Sequence, residues 1–278
     1  MKRISILIAT TLLLIGCIKE YDYNHDYRQR LVVEGRIEED AGAIVALSLN
    51  IEYRDEYDKE DIEDMVVRWA KVSVEHNGHT EVLTGRRDDD YPTQFIYTGS
   101  EILGMAGEDY RLIVEYSGNT WQAECIVPQR AQLEDIRVTH ERDTLYSITA
   151  TLPPMSTPCM IECSMEDSHY YAPTILGIYN ASESARRITI NRPLNNLDRS
   201  DYTTLFTASD VVSLRLSTMD DFSFDYWSMW ENNLVNIVNP LFPAVDNLPT
   251  NISNNGLGIW AGYGSSYHHI GLISEYNK

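Results

Sequence analysis

Positive charge is scarce in this 278-residue chain: 22 lysines and arginines stand against 42 aspartates and glutamates, a formal net charge of −20. So acidic a protein repels nucleic-acid phosphates and anionic lipid headgroups, which excludes nucleic-acid binding as a function class. Cysteine is scarce too. Of the four, Cys17 stands apart near the start, and Cys125, Cys159 and Cys163 are an odd number that cannot complete a disulfide framework. Beyond residue 15 no uncharged apolar run approaches the roughly twenty residues needed to cross about 30 Å of hydrocarbon. Short catalytic motifs are missing as well: no G-x-S-x-G, H-E-x-x-H, P-loop or G-x-G-x-x-G stands in its required context. Carboxylates are so numerous that no pair singles itself out for glycoside hydrolysis. No catalytic residue, cofactor site or metal-ligand set is therefore assigned.

The start of the chain is more informative. Lys2 and Arg3 precede an apolar stretch from Ile4 to Ile15, a length that suits a signal peptide and falls short of a membrane span. Leu14-Ile15-Gly16-Cys17 follows and resembles the bacterial lipobox, in which a small residue precedes the cysteine whose thiol accepts lipid. Residues 1–16 are thus expected to be removed as a signal peptide, which takes the net charge to about −22. Cys17 becomes the lipid attachment site, and several acyl chains on it anchor stably where one does not. Residues 17–30 read as a polar tether. Within it, Ile18-Lys19-Glu20-Tyr21-Asp22 resembles the surface-export signal of Bacteroidota lipoproteins, although a solvated charged linker has the same composition.

After residue 30 the pattern is mostly β. The remaining length exceeds the usual single-domain mode of about 100–150 residues, so two domains are expected, at 31–129 and 130–278. In the first, Leu31 to Ile37, Ala43 to Ile51, Ala70 to Glu75, Thr80 to Leu83, Tyr110 to Tyr116 and Thr120 to Val127 read as strands. Asn77-Gly78 predicts a tight hairpin because both turn positions need positive φ, and Ser117-Gly118-Asn119 predicts another. Even spacing of short strands points to a β-sandwich of immunoglobulin or transthyretin type. The second domain reads as β-rich, with strands at Leu133 to Thr139, Leu145 to Leu152, Met160 to Met165 and Val211 to Ser217. It also carries one helix near 221–238. Phe222, Tyr226, Trp230 and Leu234 recur every four residues, with Trp227 and Ile237 beside them, Asp220 and Asp221 at the N-terminal dipole and Pro240 as a stop. Such a stripe usually packs in a core.

Four groups invite a chemical reading and resist it. Cys159 and Cys163, four apart in a strand, lie about 13 Å apart, beyond disulfide reach. His76 and His79 flank the hairpin turn and supply only half of a zinc site. His268 and His269 are adjacent in a strand and point to opposite faces. The acidic run from Asp55 to Asp64 lacks the glycine and spacing of an EF-hand loop and reads as solvated. The 18 tyrosines and 5 tryptophans, against 5 phenylalanines, pair apolar area with a polar handle, as interfaces and sugar-stacking surfaces do, and strands favour them anyway.

The opening Leu31-Val32-Val33-Glu34-Gly35, the Tyr110 to Pro128 hairpin, the helix and above all the run from Asn251-Ile252 to Gly256-Leu257-Gly258-Ile259-Trp260-Ala261-Gly262-Tyr263 resemble the Bacteroidota lipoprotein family filed as domain of unknown function 4249. The departures are a tryptophan at 260, where phenylalanine is commoner, and a short middle region. The resemblance supplies no catalytic residues. It implies an accessory to TonB-dependent outer-membrane transporters: a surface-exposed, lipid-anchored, non-enzymatic binding component of a nutrient-uptake system, partnered by the membrane and the transporter. The alternative expectation is a surface hydrolase acting on glycans or peptides, which would need convergent carboxylates in a cleft. Cys17→Ala is expected to leave the protein unanchored, and mass spectrometry of the mature N-terminus should find a diacylated Cys17. An unmodified start elsewhere, or undiminished membrane retention of the variant, would contradict the lipobox reading.

Overall fold

The computed structural model describes residues 27–51, 63–165, 168–193, 204–236 and 248–272. Cys17, most of the tether, most of the acidic run, Ile237 and Pro240 lie outside them. In chain order the strands of the first half are β1 Leu31–Glu38, β2 Gly42–Leu49, β3 Lys71–His76, β4 His79–Val82, β5 Thr84–Arg87, β6 Phe95–Leu103, β7 Asp109–Tyr116 and β8 Asn119–Ile126. The second half adds β9 Glu134–Arg142, β10 Leu145–Leu152, β11 Cys159–Met165, β12 Ala172–Tyr179, β13 Arg186–Ile190, β14 Phe206–Thr207, β15 Val212–Thr218 and β16 Leu257–Ile270. Helix α1, Asp221–Asn236, joins β15 to the segment before β16. The protein is mostly β with one helix among the described residues. None of its described helices is long and apolar enough to cross a membrane.

Local chemistry accounts for the turns. Asn77 and Gly78 take φ of 49° and 78°, and Ser117 and Gly118 take 49° and 77°, the left-handed pairs that match the twist of two antiparallel strands. Asn119, read from sequence as part of the second turn, already belongs to β8. Asp220 caps α1 by accepting a bond from the Ser223 backbone N–H at 2.8 Å, which satisfies one of the orphan donors of a helix start. Of the strands that sequence did not mark, β5, β6 and β12 lack clean alternation, and β13 and β14 span only five and two residues. β5 is exposed at every position, and β12 carries Pro173 at the outer edge of its sheet, where a missing N–H costs least.

One eight-stranded sheet, in the order β12-β11-β15-β16-β1-β2-β6-β5, runs through both halves of the chain. Two four-stranded sheets back it: β4-β3-β7-β8, and β13-β10-β14 with β9 paired to β10. The halves join where β1 lies parallel to β16, Gly35 opposite Trp260 and Glu38 opposite Tyr263. Strand alternation sends Leu31, Val33 and Ile37 of β1 to one face, into a core shared with Val72, Leu112 and Val114. Ile161, Cys163, Leu214 and Leu216 meet Ile148 and Leu152 in a second core over the C-terminal half. The boundary read near residue 129 thus falls between two cores under one uninterrupted sheet.

The family-like run near the C-terminus locks that seam. Trp260 is fully buried in the core of the first half, beside Ile252, and its Nε1–H donates to the Tyr110 carbonyl at 3.1 Å. Asn251 brackets it, accepting from the Trp260 N–H at 3.0 Å and donating to its carbonyl at 2.7 Å. A Cβ at Gly35 would come within 2.8 Å of the indole, and Gly258, at φ 88°, sits where a Cβ would run into the Val33 carbonyl. Both glycines are therefore required by close approach. Trp260→Ala is expected to cost about 3–5 kcal/mol in urea unfolding, and Trp260→Phe roughly 1 kcal/mol for the lost hydrogen bond. Equal, small losses in both variants would show that the seam does not depend on the indole.

Candidate functional site

The second face of the large sheet is unlike the first. Positions that alternate with the core residues place Arg36 and Glu38 of β1, Glu162 of β11 and Arg215 of β15 side by side across the seam, and their side chains are 17%, 7%, 2% and 7% exposed. Glu162 accepts four bonds: Arg36 Nη1 (3.1 Å) and Arg215 Nη2 on Oε1, Arg215 Nε (2.7 Å) and Ser217 Oγ (2.6 Å) on Oε2. Glu38 accepts from Arg215 Nη1 at 3.0 Å and from the Tyr267 hydroxyl at 2.6 Å, while Arg36 Nε lies 2.7 Å from it in an ion contact without hydrogen-bond alignment. Arg36 also stacks over Tyr263 and Arg215 over Tyr171, at 4.5 and 4.6 Å. Burial alone would raise both carboxyls, but the two guanidiniums outweigh it and hold Glu38 down to about 2 and Glu162 below its ordinary value.

Above this charged floor stands an aromatic wall. Trp227 donates its Nε1–H to the Tyr263 hydroxyl at 2.8 Å, which ties α1 to the sheet beside a small core of Met160, Met219 and Ile259. Tyr226, Trp227 and Trp230 from α1, Tyr170 and Tyr171 before β12, and Tyr91 from the β5–β6 loop enclose a cavity of about 190 Å³ whose floor includes Glu34, Arg36, Glu162 and Arg215. Tyr91 and Tyr170 meet edge to face at 5.1 Å, as do Trp227 and Trp230 at 5.6 Å. The aromatic stripe of α1 is therefore half core, through Phe222 and part of Trp227, and half cavity wall. Glu34 is open to the cavity yet ringed by protein; burial raises its carboxyl, partly offset by Arg36 and reinforced by Glu162.

Beside Tyr91, His169 is held between two acids. Its Nε2 lies 2.8 Å from Asp88 and its Nδ1 2.6 Å from Asp90. These donor atoms sit within 4.8 Å of one another, close enough to hold a cation. Because the carboxylates bond opposite nitrogens, a metal at about 2.0–2.2 Å could use the imidazole only if one acid let go. The contact fastens the β5–β6 loop to the segment before β12, across the two halves. None of the three residues stood out in the sequence, since 79 residues separate Asp90 from His169.

Cys159 and Cys163 are buried free thiols, and burial pushes each up to about 12, which makes them inert. His76 and His79 do pair across the hairpin, but His76 bonds the Asp109 carbonyl at 2.9 Å and stacks on Tyr110. His269 bonds Ser213 at 2.7 Å, while His268 contacts Ser266.

Residues 18–267 match a family described as "Domain of unknown function (DUF4249)". The chain belongs to this family. No curated protein matches it. Among solved structures, domains A168–A170 of titin are 7% identical with a TM-score of 0.21, over 70% of this chain and 61% of that one. Bovine butyrophilin is 8% identical with a TM-score of 0.21, over 68% of this chain and 92% of that one. This DUF4249 member spans only about three-fifths of the titin fragment.

The depressed carboxyls give the floor an acid signature. A group held below its unfolded value stabilises the fold above that value, and the contribution is lost as pH falls toward the folded one. For Glu38 that window runs from 4.5 to about 2 and is worth roughly 3 kcal/mol. Glu38→Gln is expected to be less stable than the native protein at pH 7, with the gap narrowing as pH drops through the window. A gap independent of pH, in urea midpoints at pH 7 and pH 3, would contradict the assignment.

Proposed function

We propose that the protein is a surface-exposed, lipid-anchored outer-membrane component that works by binding, as an accessory of a TonB-dependent nutrient-uptake system in a Bacteroidota cell. The observation that carries the binding part is the aromatic cavity over a charge-matched floor. Small-ligand sites are concave, mostly apolar and furnished with a few fixed polar groups, as this one is. The lipobox ending at Cys17 supports the anchor, and an anchor raises the concentration of the ectodomain beside any embedded partner, so that a modest interface stays occupied. The accessory role is what the resemblance of the sequence to this lipoprotein family implies.

A surface hydrolase acting on glycans or peptides is the second reading, because Glu34 is raised and Glu162 lowered in one cavity, the split that acid and base pairs display. Glu162 is the weak point of that reading. Its oxygens already accept four bonds, which leaves no lone pair for a nucleophile or base.

The accessory role is tested by protease treatment of intact cells together with purification from native membranes in mild detergent. The expected result is cleavage without breaking the outer membrane and co-purification of a β-barrel transporter. Protection until the membrane is broken would refute surface display, and clean isolation without a transporter would refute the association.

A further inference from the structure

Of the four charged side chains that line the cavity, Glu34 makes no ion pair among the described residues. The charges of Arg36 and Arg215 are matched by Glu38 and Glu162, and their guanidiniums stack on the rings of Tyr263 and Tyr171, although Nη2 of Arg36 has no hydrogen-bond partner. Glu34 is left over. Among the described residues no side chain bonds its carboxyl, although it opens into the cavity. Arg36, two residues along the same face of β1, turns its charge to Glu38 and Glu162 instead. Around Glu34 stand Tyr170 before β12 and Tyr226 on α1, whose hydroxyls burial, and then its charge, push upward, that of Tyr226 to about 12, and Tyr91 from the β5–β6 loop, raised by burial against the opposing charges of Arg36 and Arg215. Trp227 and Trp230 close the wall.

A lone carboxylate inside a box of tyrosines and tryptophans selects by charge. An anion would meet the charge of Glu34, while the guanidiniums beside it are already ion-paired with Glu38 and Glu162. A neutral sugar would find stacking surface but few converging hydrogen-bond groups, in a space of about 190 Å³, below the roughly 300–1,000 Å³ of drug-sized ligand sites. An organic cation satisfies every wall: aromatic faces attract it through their quadrupoles, and the carboxylate supplies the counter-charge. We propose that the cavity holds a small organic ammonium group, its charge against Glu34 and its carbon atoms against the rings of Tyr170, Tyr226, Trp227 and Trp230. The assignment rests on the reading of this protein as a binding component and names the class of ligand.

Calorimetric titration of the purified ectodomain with tetramethylammonium, choline, the neutral choline isostere 3,3-dimethylbutanol, acetate and glucose tests it. The two cations are expected to bind, the neutral isostere about tenfold or more weakly, and acetate and glucose not at all. Glu34→Gln, at a site open to solvent, should weaken the cations about tenfold and erase the preference over the isostere, whereas Trp230→Ala should weaken both. Equal binding of choline and its isostere, or unchanged cation binding in Glu34→Gln, would overturn the cation assignment while leaving the cavity a binding site. Binding of glucose or acetate that Trp230→Ala abolishes would do the same. Absence of any cation binding at millimolar concentration would also overturn it, and the accessory role would still stand or fall on transporter co-purification.

Discussion

The large sheet depends on four buried charges that meet over a seam. β1 and β16 come from opposite ends of the described chain and lie parallel, so no hairpin fixes their register. Two features do. On the core face Trp260 sits over Gly35, and on the other face Arg36 and Glu38 of the first half interlock with Glu162 and Arg215 of the second. A buried ion pair adds little net stability over a hydrophobic pair of the same shape, since desolvation consumes most of the attraction. What it adds is discrimination: a one-residue slip of β1 would turn Arg36 and Glu38 into the core and strand Glu162 and Arg215 without partners. The network is therefore a device for register first and for stability second.

Its second consequence is the cavity. A face floored with matched charges cannot accept another sheet, because no apolar layer is available to cover it. It can accept aromatic rings, which tolerate guanidiniums at their faces and bring hydroxyls and an indole N–H for the remaining acceptors. Tyr171, Tyr263 and Tyr267 fill that part, and Trp227 carries the chain of contacts to α1 through Tyr263. The helix is held at one side of the face, the Tyr170-Tyr171 segment and the Tyr91 loop at the other, with His169 clamped by Asp88 and Asp90 to keep the last two together. What stays open between them is the site, with Glu34 outside the ion pairs of the network.

Much of the frame was legible from residues in order. Alternation marked ten strands, Asn77-Gly78 and Ser117-Gly118 marked two turns, and the four-residue aromatic spacing with Asp220 marked the helix. The site was not, because its members are brought together by sheet order and not by sequence distance. A signal existed in retrospect: Glu162 in Cys-Met-Ile-Glu-Cys and Arg215 in Leu-Arg-Leu are lone opposite charges inside apolar strands, and a charge at such a position needs a partner. Glu34, Arg36 and Glu38 likewise alternate with Val33, Gly35 and Ile37. Sequence alone could not say that these strands are neighbours, since that follows from β16 entering between β15 and β1.

The coupling of the two halves through buried charge is measured most directly by a double-mutant cycle on Arg36 and Glu162, which stand on β1 and β11 with β16 and β15 between them. Arg36→Met, Glu162→Met and the double variant would be compared with the native protein in equilibrium urea unfolding at pH 7. The account predicts that the double variant is more stable than the sum of the single losses implies, with an interaction energy of about 1–3 kcal/mol. Losses that add within about 0.5 kcal/mol, the behaviour of independent sites, would contradict it.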